Sequence, residues 1–260
     1  MNEQNISCII ATHNRDEYLK EAINSVVSQS TLPLEIIISD NVPNKNTELL
    51  VKEIASKNSL PISYIGHKFG GRGCISRNLG VAKAKGDYIA FLDDDDFWDA
   101  NYLKKISALI TEKKSKIIYT WLIDWHNNVK KPGKKLQQDI PIETFLYRNP
   151  GSVISNLVVD RNLFISLGGF DEYIHPSYDK DFLIRAIYFG YSYDVLKDNL
   201  VYMRRNNHKR ESEINHNFLA GMKKFYKKHE FNANFFVKFK FWTKYYWYFI
   251  NSIINDGKSN

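Results

Sequence analysis

Residues 86–99 read GDYIAFLDDDDFWD. Residues 88–92 form an apolar, strand-like run, and four consecutive aspartates follow it directly. Adjacent carboxylates repel one another, and burying one is costly unless something compensates. A divalent cation resolves that repulsion, and Mg²⁺ and Mn²⁺ prefer carboxylate oxygens. On an extended segment Asp93 and Asp95 point the same way and Asp94 points opposite. The spacing therefore offers an Asp-x-Asp pair to one ion, or to the phosphates around it. The competing reading is a solvated acidic turn that caps the next helix, and Asp96 or Asp99 can do only that. So apolar a strand rarely leads into a mere surface turn.

Working outward, residues 6–11 read as an apolar strand stopped by Thr12-His13-Asn14. A helix starts near Asp16, with Tyr18, Leu19, Ala22, Ile23, Val26 and Val27 at helical spacing. A second strand, 34–39, ends at Asp40-Asn41. A helix at 47–57, a strand at 61–65, a Gly-rich loop at 70–73 and a helix at 75–85 lead back to the opening stretch. Strands apolar on both faces that alternate with helices predict an α/β fold: a mostly parallel sheet with helices on both faces. In such sheets ligands bind beyond the C-terminal ends of the strands. Thr12, Asp40 and Asp93 all lie at those ends. Further on, a helix at 100–113 and a strand at 117–125 precede a polar loop or hairpin tip at 127–139. A short helix at 140–147, a strand at 153–159, a turn at 168–172, a helix from Asp179 or Asp181 to 189 and short strands at 193–196 and 200–204 complete that half. The chain reads as helical from 211 onward.

The 260 residues are 43% hydrophobic and 25% charged, which fits a folded domain, with a net charge of +7. A basic balance suits a polyanionic ligand, an anionic membrane surface or nucleic acid, and says nothing of fold. The two cysteines, Cys8 and Cys74, lack metal-ligand spacing and read as buried free thiols in a reducing compartment. No leader is visible, and no run reaches the ~18 apolar residues of a membrane span. A cytoplasmic location is expected.

The order of these pieces resembles the family 2 inverting glycosyltransferases with the GT-A fold, over roughly residues 6–208. Ile9-Ile10-Ala11-Thr12-His13-Asn14-Arg15 resembles the family's opening strand and nucleotide loop. Residues 35–41 resemble its second strand, and Ser76-Arg77-Asn78-Leu79-Gly80 its Ala-Arg-Asn-x-Gly segment. Phe91 to Asp96 resemble its metal motif. Gly168-Gly169-Phe170-Asp171-Glu172 and Asp179-Lys180-Asp181 resemble its acceptor-side motif and catalytic acid. The resemblance implies a nucleotide-diphospho-sugar transferase fold at 1–210, with a nucleotide-binding half at 1–98 and an acceptor-side half at 99–210. Residues 211–260 would form a helical extension.

The resemblance also implies roles. Thr12, Asn14, Arg15, Asp40, Arg77, Asn78, Asp93 and Asp94 would bind the nucleotide-sugar donor, with Asp94 reaching ribose or sugar. Asp95, Asp93 and His208 would hold Mn²⁺ or Mg²⁺, with Asp95 the firmer ligand. Asp179 falls on the position of the general base that inversion requires, with Asp181 as the alternative. Tyr178 departs from the family's usual glutamate there. Trp98, Trp121, Gly169, Phe170 and Asp171 would lie on the acceptor side, with core packing the alternative for the tryptophans. The expected reaction is inverting transfer from a UDP-sugar, with dTDP- or GDP-sugars as alternatives, to a glycan or polyprenyl-linked glycan of a capsular, lipopolysaccharide or related surface polysaccharide. An inactive nucleotide-sugar-binding protein is an alternative, motivated by Tyr178. A nucleic-acid-binding protein would leave the four aspartates unexplained, because they repel phosphate.

Residues 225–250 are dense in lysine and aromatics. Phe235, Phe239, Trp242, Tyr246, Phe249 and Ile253 recur at helical spacing, with Lys238, Lys240 and Lys244 near them. Such a helix can lie on an anionic membrane surface, pack on its own domain or form a homodimer. The expected location is peripheral, on the inner face of the cell membrane.

Overall fold

The computed structural model describes residues 5–69, 73–205 and 216–256. Strands β1 (Ile6–Thr12), β2 (Glu35–Asp40), β3 (Ile62–Gly66) and β4 (Tyr88–Asp93) alternate with helices α1 (Asp16–Val27), α2 (Lys45–Ser56) and α3 (Gly73–Lys83). Strand β5 (Asp96–Trp98) and helix α4 (Tyr102–Lys113) follow. Next come β6 (Ile117–His126), β7 (Val129–Pro132), α5 (Thr144–Tyr147), a 3₁₀ turn (Ile154–Asn156), β8 (Leu157–Asp160), α6 (Arg161–Ser166), α7 (Tyr178–Tyr188) and β9 (Asp194–Arg204). Helices α8 (His216–His229) and α9 (Phe235–Asp256) close the described chain.

One sheet runs in the order β3-β2-β1-β4-β8-β6-β9-β5, with β7 hairpinned onto β6. The strands of its N-terminal half pair in parallel. Strand β8 is antiparallel to both β4 and β6, and β5 is antiparallel to β9. Because β9 is parallel to β6, β1–β4, β6 and β9 all point one way. The register pairs Thr12 with Asp40 and Ala11 with Asp93, so three strands deliver polar residues to one edge.

Strand alternation divides the core. Cys8, Ile10, Ile36, Ile38, Ala90 and Leu92 pack under α1, α2 and α4. Ile9, Ile37, Ile89 and Phe91 face the other way, toward α3, α6 and α7. Val81 on α3 packs here, and Gly80 lets that helix sit on β1, since a Cβ there would meet Ile9 Cγ2 at 2.6 Å. Phe225 and Tyr226 of α8 and Val237 and Phe241 of α9 are buried in the same cluster. The C-terminal helices therefore complete this face of the core.

Three sequence expectations change. Asp96 does not start a helix: it begins β5, an edge strand too short for periodicity to reveal. The strands expected at 193–196 and 200–204 are one strand, β9, with irregular register opposite Thr120–Trp121–Leu122. The strand expected from 153 starts only at Leu157, after the 3₁₀ turn, and α6 is an additional element whose six residues are too few for a periodic signal.

Candidate active site

The carboxylate run bends. Strand β4 ends at Asp93, residues 94 and 95 turn, and β5 resumes at Asp96. Strict alternation fails at that turn, and the bend gathers Asp93, Asp95 and Asp96, each offering an oxygen within 4.8 Å of the others. Asp94 is not in that cluster and turns toward the β1 loop. Its Oδ2 accepts from the Thr12 hydroxyl at 2.8 Å and from the His13 amide at 3.3 Å. Burial and the Asp95 charge push the Asp94 carboxyl up to about 7, against the pull of Arg15.

Two arginines hold the run together. Arg15 Nη1 lies 3.2 Å from both Asp94 Oδ1 and Asp95 Oδ2. Buried Arg77 pairs with Asp93 through Nη2, and its Nη1 donates to the Tyr178 hydroxyl at 2.8 Å. Tyr178 thus supplies a neutral oxygen beside a guanidinium that is already paired with a carboxylate. Asp96 is almost wholly enclosed. It accepts from the Ser155 hydroxyl at 2.6 Å and the Arg204 amide at 3.1 Å. Burial, with the Asp95 and Asp93 charges, raises its pKa well above the carboxylate range. Ser155 also accepts from the Asp93 amide at 3.2 Å, so one hydroxyl braces both ends of the bend.

The other nucleotide candidates cluster at the same edge. Asp40 is fully buried. It closes a turn by accepting from the Val42 amide at 3.0 Å and is covered by the Tyr64 hydroxyl at 2.8 Å. Asn14 adopts a left-handed φ of 51°, which asparagine tolerates, and its Oδ1 accepts from Asn44 at 3.2 Å. His13 Nδ1 sits 2.5 Å from Asn41 Oδ1.

Asp179, in the first turn of α7, is partly buried. Its oxygens meet Asn149 Nδ2 at 3.4 Å and the Lys180 amide at 2.7 Å. Burial raises its carboxyl to about 6; Lys180 opposes the rise and Asp93 adds to it. Arg77 links Asp93 to Tyr178, the residue before Asp179, which brings the Asp93 charge within reach of Asp179. A carboxyl poised near neutrality suits general base work. Asn149, which orients Asp179, is missing from the sequence candidates; it lies in an Asn-Pro-Gly loop that carries no periodic signal.

Asp181 is corrected as an alternative base. It is fully buried and accepts from Arg185 Nε, Lys228 Nζ and His229 Nε2, each at 2.8 Å. Burial alone would raise its pKa, but the His229 hydrogen bond and the Arg185 and Lys228 charges hold it down to about 2. The carboxylate latches α8 onto α7. We expect Asp181→Ala to cost about 1–3 kcal/mol, because it leaves the buried His229 ring without its hydrogen-bond partner and removes one acceptor from Arg185; a denaturant midpoint shift measures this. Its pKa is depressed in the folded state, so its contribution is full above the unfolded carboxylate range and is lost as pH falls toward about 2.

Further candidates move as well. Asn78 brackets the 168–172 turn: Oδ1 accepts from the Phe170 amide at 3.0 Å, and Nδ2 donates to the Phe170 carbonyl at 2.9 Å. Gly169, with φ 67°, passes so close that a Cβ would lie 2.8 Å from Asn78 Oδ1. Asn78 therefore shapes the protein rather than facing a donor. Phe170 is buried among Phe91, Phe164 and Tyr178, and offers no acceptor surface. Trp98 is likewise buried, stacked on Tyr102 at 4.3 Å, with its indole N–H given to the Ser155 carbonyl at 2.8 Å. Asp171 pairs with Lys228 at 2.7 Å. Trp121 is partly exposed, with Lys135 Nζ 4.7 Å over its ring. His208 lies outside the described residues, as do residues 70–72 of the Gly-rich loop.

Among the described residues, no helix is long and apolar enough to cross a membrane. The family described as Glycosyl transferase family 2 matches residues 7–165. An uncharacterized glycosyltransferase of Methanocaldococcus jannaschii is 31% identical over 210 residues, 78% of this chain and 72% of the relative. The GalNAc(5)-diNAcBac-PP-undecaprenol beta-1,3-glucosyltransferase of Campylobacter jejuni is 32% identical over 142 residues, 53% of this chain and 45% of the relative. The structure of Staphylococcus aureus TarS 1-349 in complex with UDP-GlcNAc superposes with a TM-score of 0.70 at 21% identity, over 91% of this chain and 69% of that one. A Pyrobaculum calidifontis mannosyltransferase in complex with GDP-Man and Mn²⁺ superposes with a TM-score of 0.66 at 14% identity, over 90% of this chain and 66% of that one. The two superpositions concern the fold.

Proposed function

This chain belongs to glycosyl transferase family 2, and from that premise we propose that it transfers a sugar with inversion from a UDP-linked donor to a hydroxyl of a glycan or lipid-linked glycan. The single observation that carries the reading is the proximity of two features joined through Arg77. An acid cluster at Asp93, Asp95 and Asp96 lies within electrostatic reach of a separate carboxyl, Asp179, raised to about 6. The relatives' names motivate the substrate classes: one relative is named for an undecaprenol-linked glycan, and one superposed structure holds UDP-GlcNAc.

The residues fit a divalent cation. The donor set is all carboxylate oxygen, and the run of four aspartates meets two guanidiniums, Arg15 and Arg77, so a cation suits the cluster. Asp93 and Asp95 would hold the ion; Asp96, engaged by Ser155 and Arg204, backs them. When bound, the ion supplies Lewis-acid stabilisation to the departing diphosphate. Arg15 and Arg77 contribute positive charge beside it and keep the acids in place. Asp94 ties the nucleotide loop to the metal turn through Thr12. Asp179 takes the proton of the acceptor hydroxyl as that oxygen attacks the anomeric carbon. No covalent intermediate is needed, since one displacement inverts the centre.

Thermal shift against a panel of UDP-, dTDP- and GDP-sugars with Mn²⁺ tests the reading. A selective rise in Tm with UDP-sugars is expected. A rise confined to GDP- or dTDP-sugars would reassign the donor, and no rise with any would remove the proposal.

A further inference from the structure

We propose that α9 docks this protein flat on an anionic lipid bilayer through an aromatic stripe that the fold leaves uncovered. The helix has two faces. Val237, Phe241 and Ser252 are buried, and Trp242, Tyr245 and Tyr248 pack partly against the same core. On the opposite side Phe236, Phe239, Thr243, Tyr246, Ile250 and Ile253 follow one another at alternating steps of three and four, which makes one continuous stripe. Phe239 is 62% exposed, Trp247 59% and Ile250 56%. The sequence pattern places Trp242 on the outer face, but it turns inward to meet Tyr226 at 5.6 Å. At 1.5 Å per residue the 22-residue helix is about 33 Å long. A shallow groove of about 340 Å³ opens on it between Phe239, Lys240, Thr243, Lys244 and Trp247.

Charge selects the occupant. Lys240 and Lys244 border one edge of the stripe and Lys238 lies toward the other. Lys240 Nζ rests 4.0 Å over the Phe236 ring, and Lys244 Nζ donates to the Tyr147 carbonyl at 3.2 Å. No acidic residue occurs from 231 to 254, within a chain of net charge +7. Lysine is depleted at the centres of protein interfaces, whereas aromatics flanked by lysines suit the headgroup zone of a bilayer carrying negative lipid. The same lysines, and the helix's packing on the core, suit lying on the surface rather than crossing. Docking is independent of the donor reading, since the stripe shares no residue with the acid crevice.

The test uses the full chain and vesicles of phosphatidylcholine with or without phosphatidylglycerol. Wild type should float with the anionic vesicles, with a blue shift in tryptophan emission that Trp247→Phe removes. The pair Phe239→Glu and Ile250→Glu, both at exposed positions, should lower vesicle affinity at least about tenfold while Tm and nucleotide-sugar binding stay unchanged. Flotation that is equal for wild type and the pair, or equal with and without phosphatidylglycerol, would overturn the proposal. So would light scattering that shows a dimer lost in the pair, with neither protein floating: the stripe would then be a contact between copies of this chain.

Discussion

Asp179→Asn is expected to lower turnover by about 10²–10⁴-fold while donor binding stays within a few-fold of wild type. The amide keeps the side chain's shape but cannot accept the acceptor's proton. Because the Asp179 carboxyl is raised to about 6, kcat/KM in the wild type should climb with pH through that value and level off above it. The sign follows from the role: a base works deprotonated, so protonation below about 6 removes activity. Near-normal turnover in Asp179→Asn, or a flat profile from pH 5 to 8, would remove Asp179 from the reaction. Asp181 makes a useful contrast. Its loss should weaken stability, and its pKa near 2 puts its titration far below the assay range.

Asp95→Ala is the second large effect. It removes the acid that sits at the turn between β4 and β5 and that shares Arg15 with Asp94. Turnover should fall about 10³-fold at saturating donor, and excess Mn²⁺ should not restore it. Folding should survive, since Asp94 keeps its bonds to Thr12 and Arg15 and the turn carries one fewer like charge. Full rescue by high Mn²⁺ would show that Asp93 and Asp96 suffice as ligands.

Much of the fold is legible in the sequence because buried strands announce themselves. Ile6–Thr12, Glu35–Asp40 and Tyr88–Asp93 are apolar runs cut off by polar residues, and those cuts mark the crevice. Alternation along an extended strand does not account for the acid cluster, since a turn at residues 94 and 95 brings Asp96 in with Asp93 and Asp95. What escapes depends on partners far along the chain. Asp181 reads as one more acid in a helix's first turn, and its partners Lys228 and His229 come almost fifty residues later. Asn78 reads as a donor ligand because the turn it brackets lies 92 residues away. Trp98 and Phe170 stand beside polar motifs in the sequence, yet both are held in the core by ring contacts that periodicity over so few residues does not report. Asp96 reads as a helix start because β5 is three residues long and exists only by pairing with β9.

If the acid cluster and the nucleotide crevice form one metal-dependent donor site, nucleotide affinity must depend on the cation. Calorimetric titration of the wild type with UDP, in Mn²⁺ and again in EDTA, tests this most directly. The predicted result is binding at least about a hundredfold tighter in Mn²⁺, because Asp93, Asp95 and Asp96 repel a bare diphosphate. Equal affinity in metal and in chelator would contradict it.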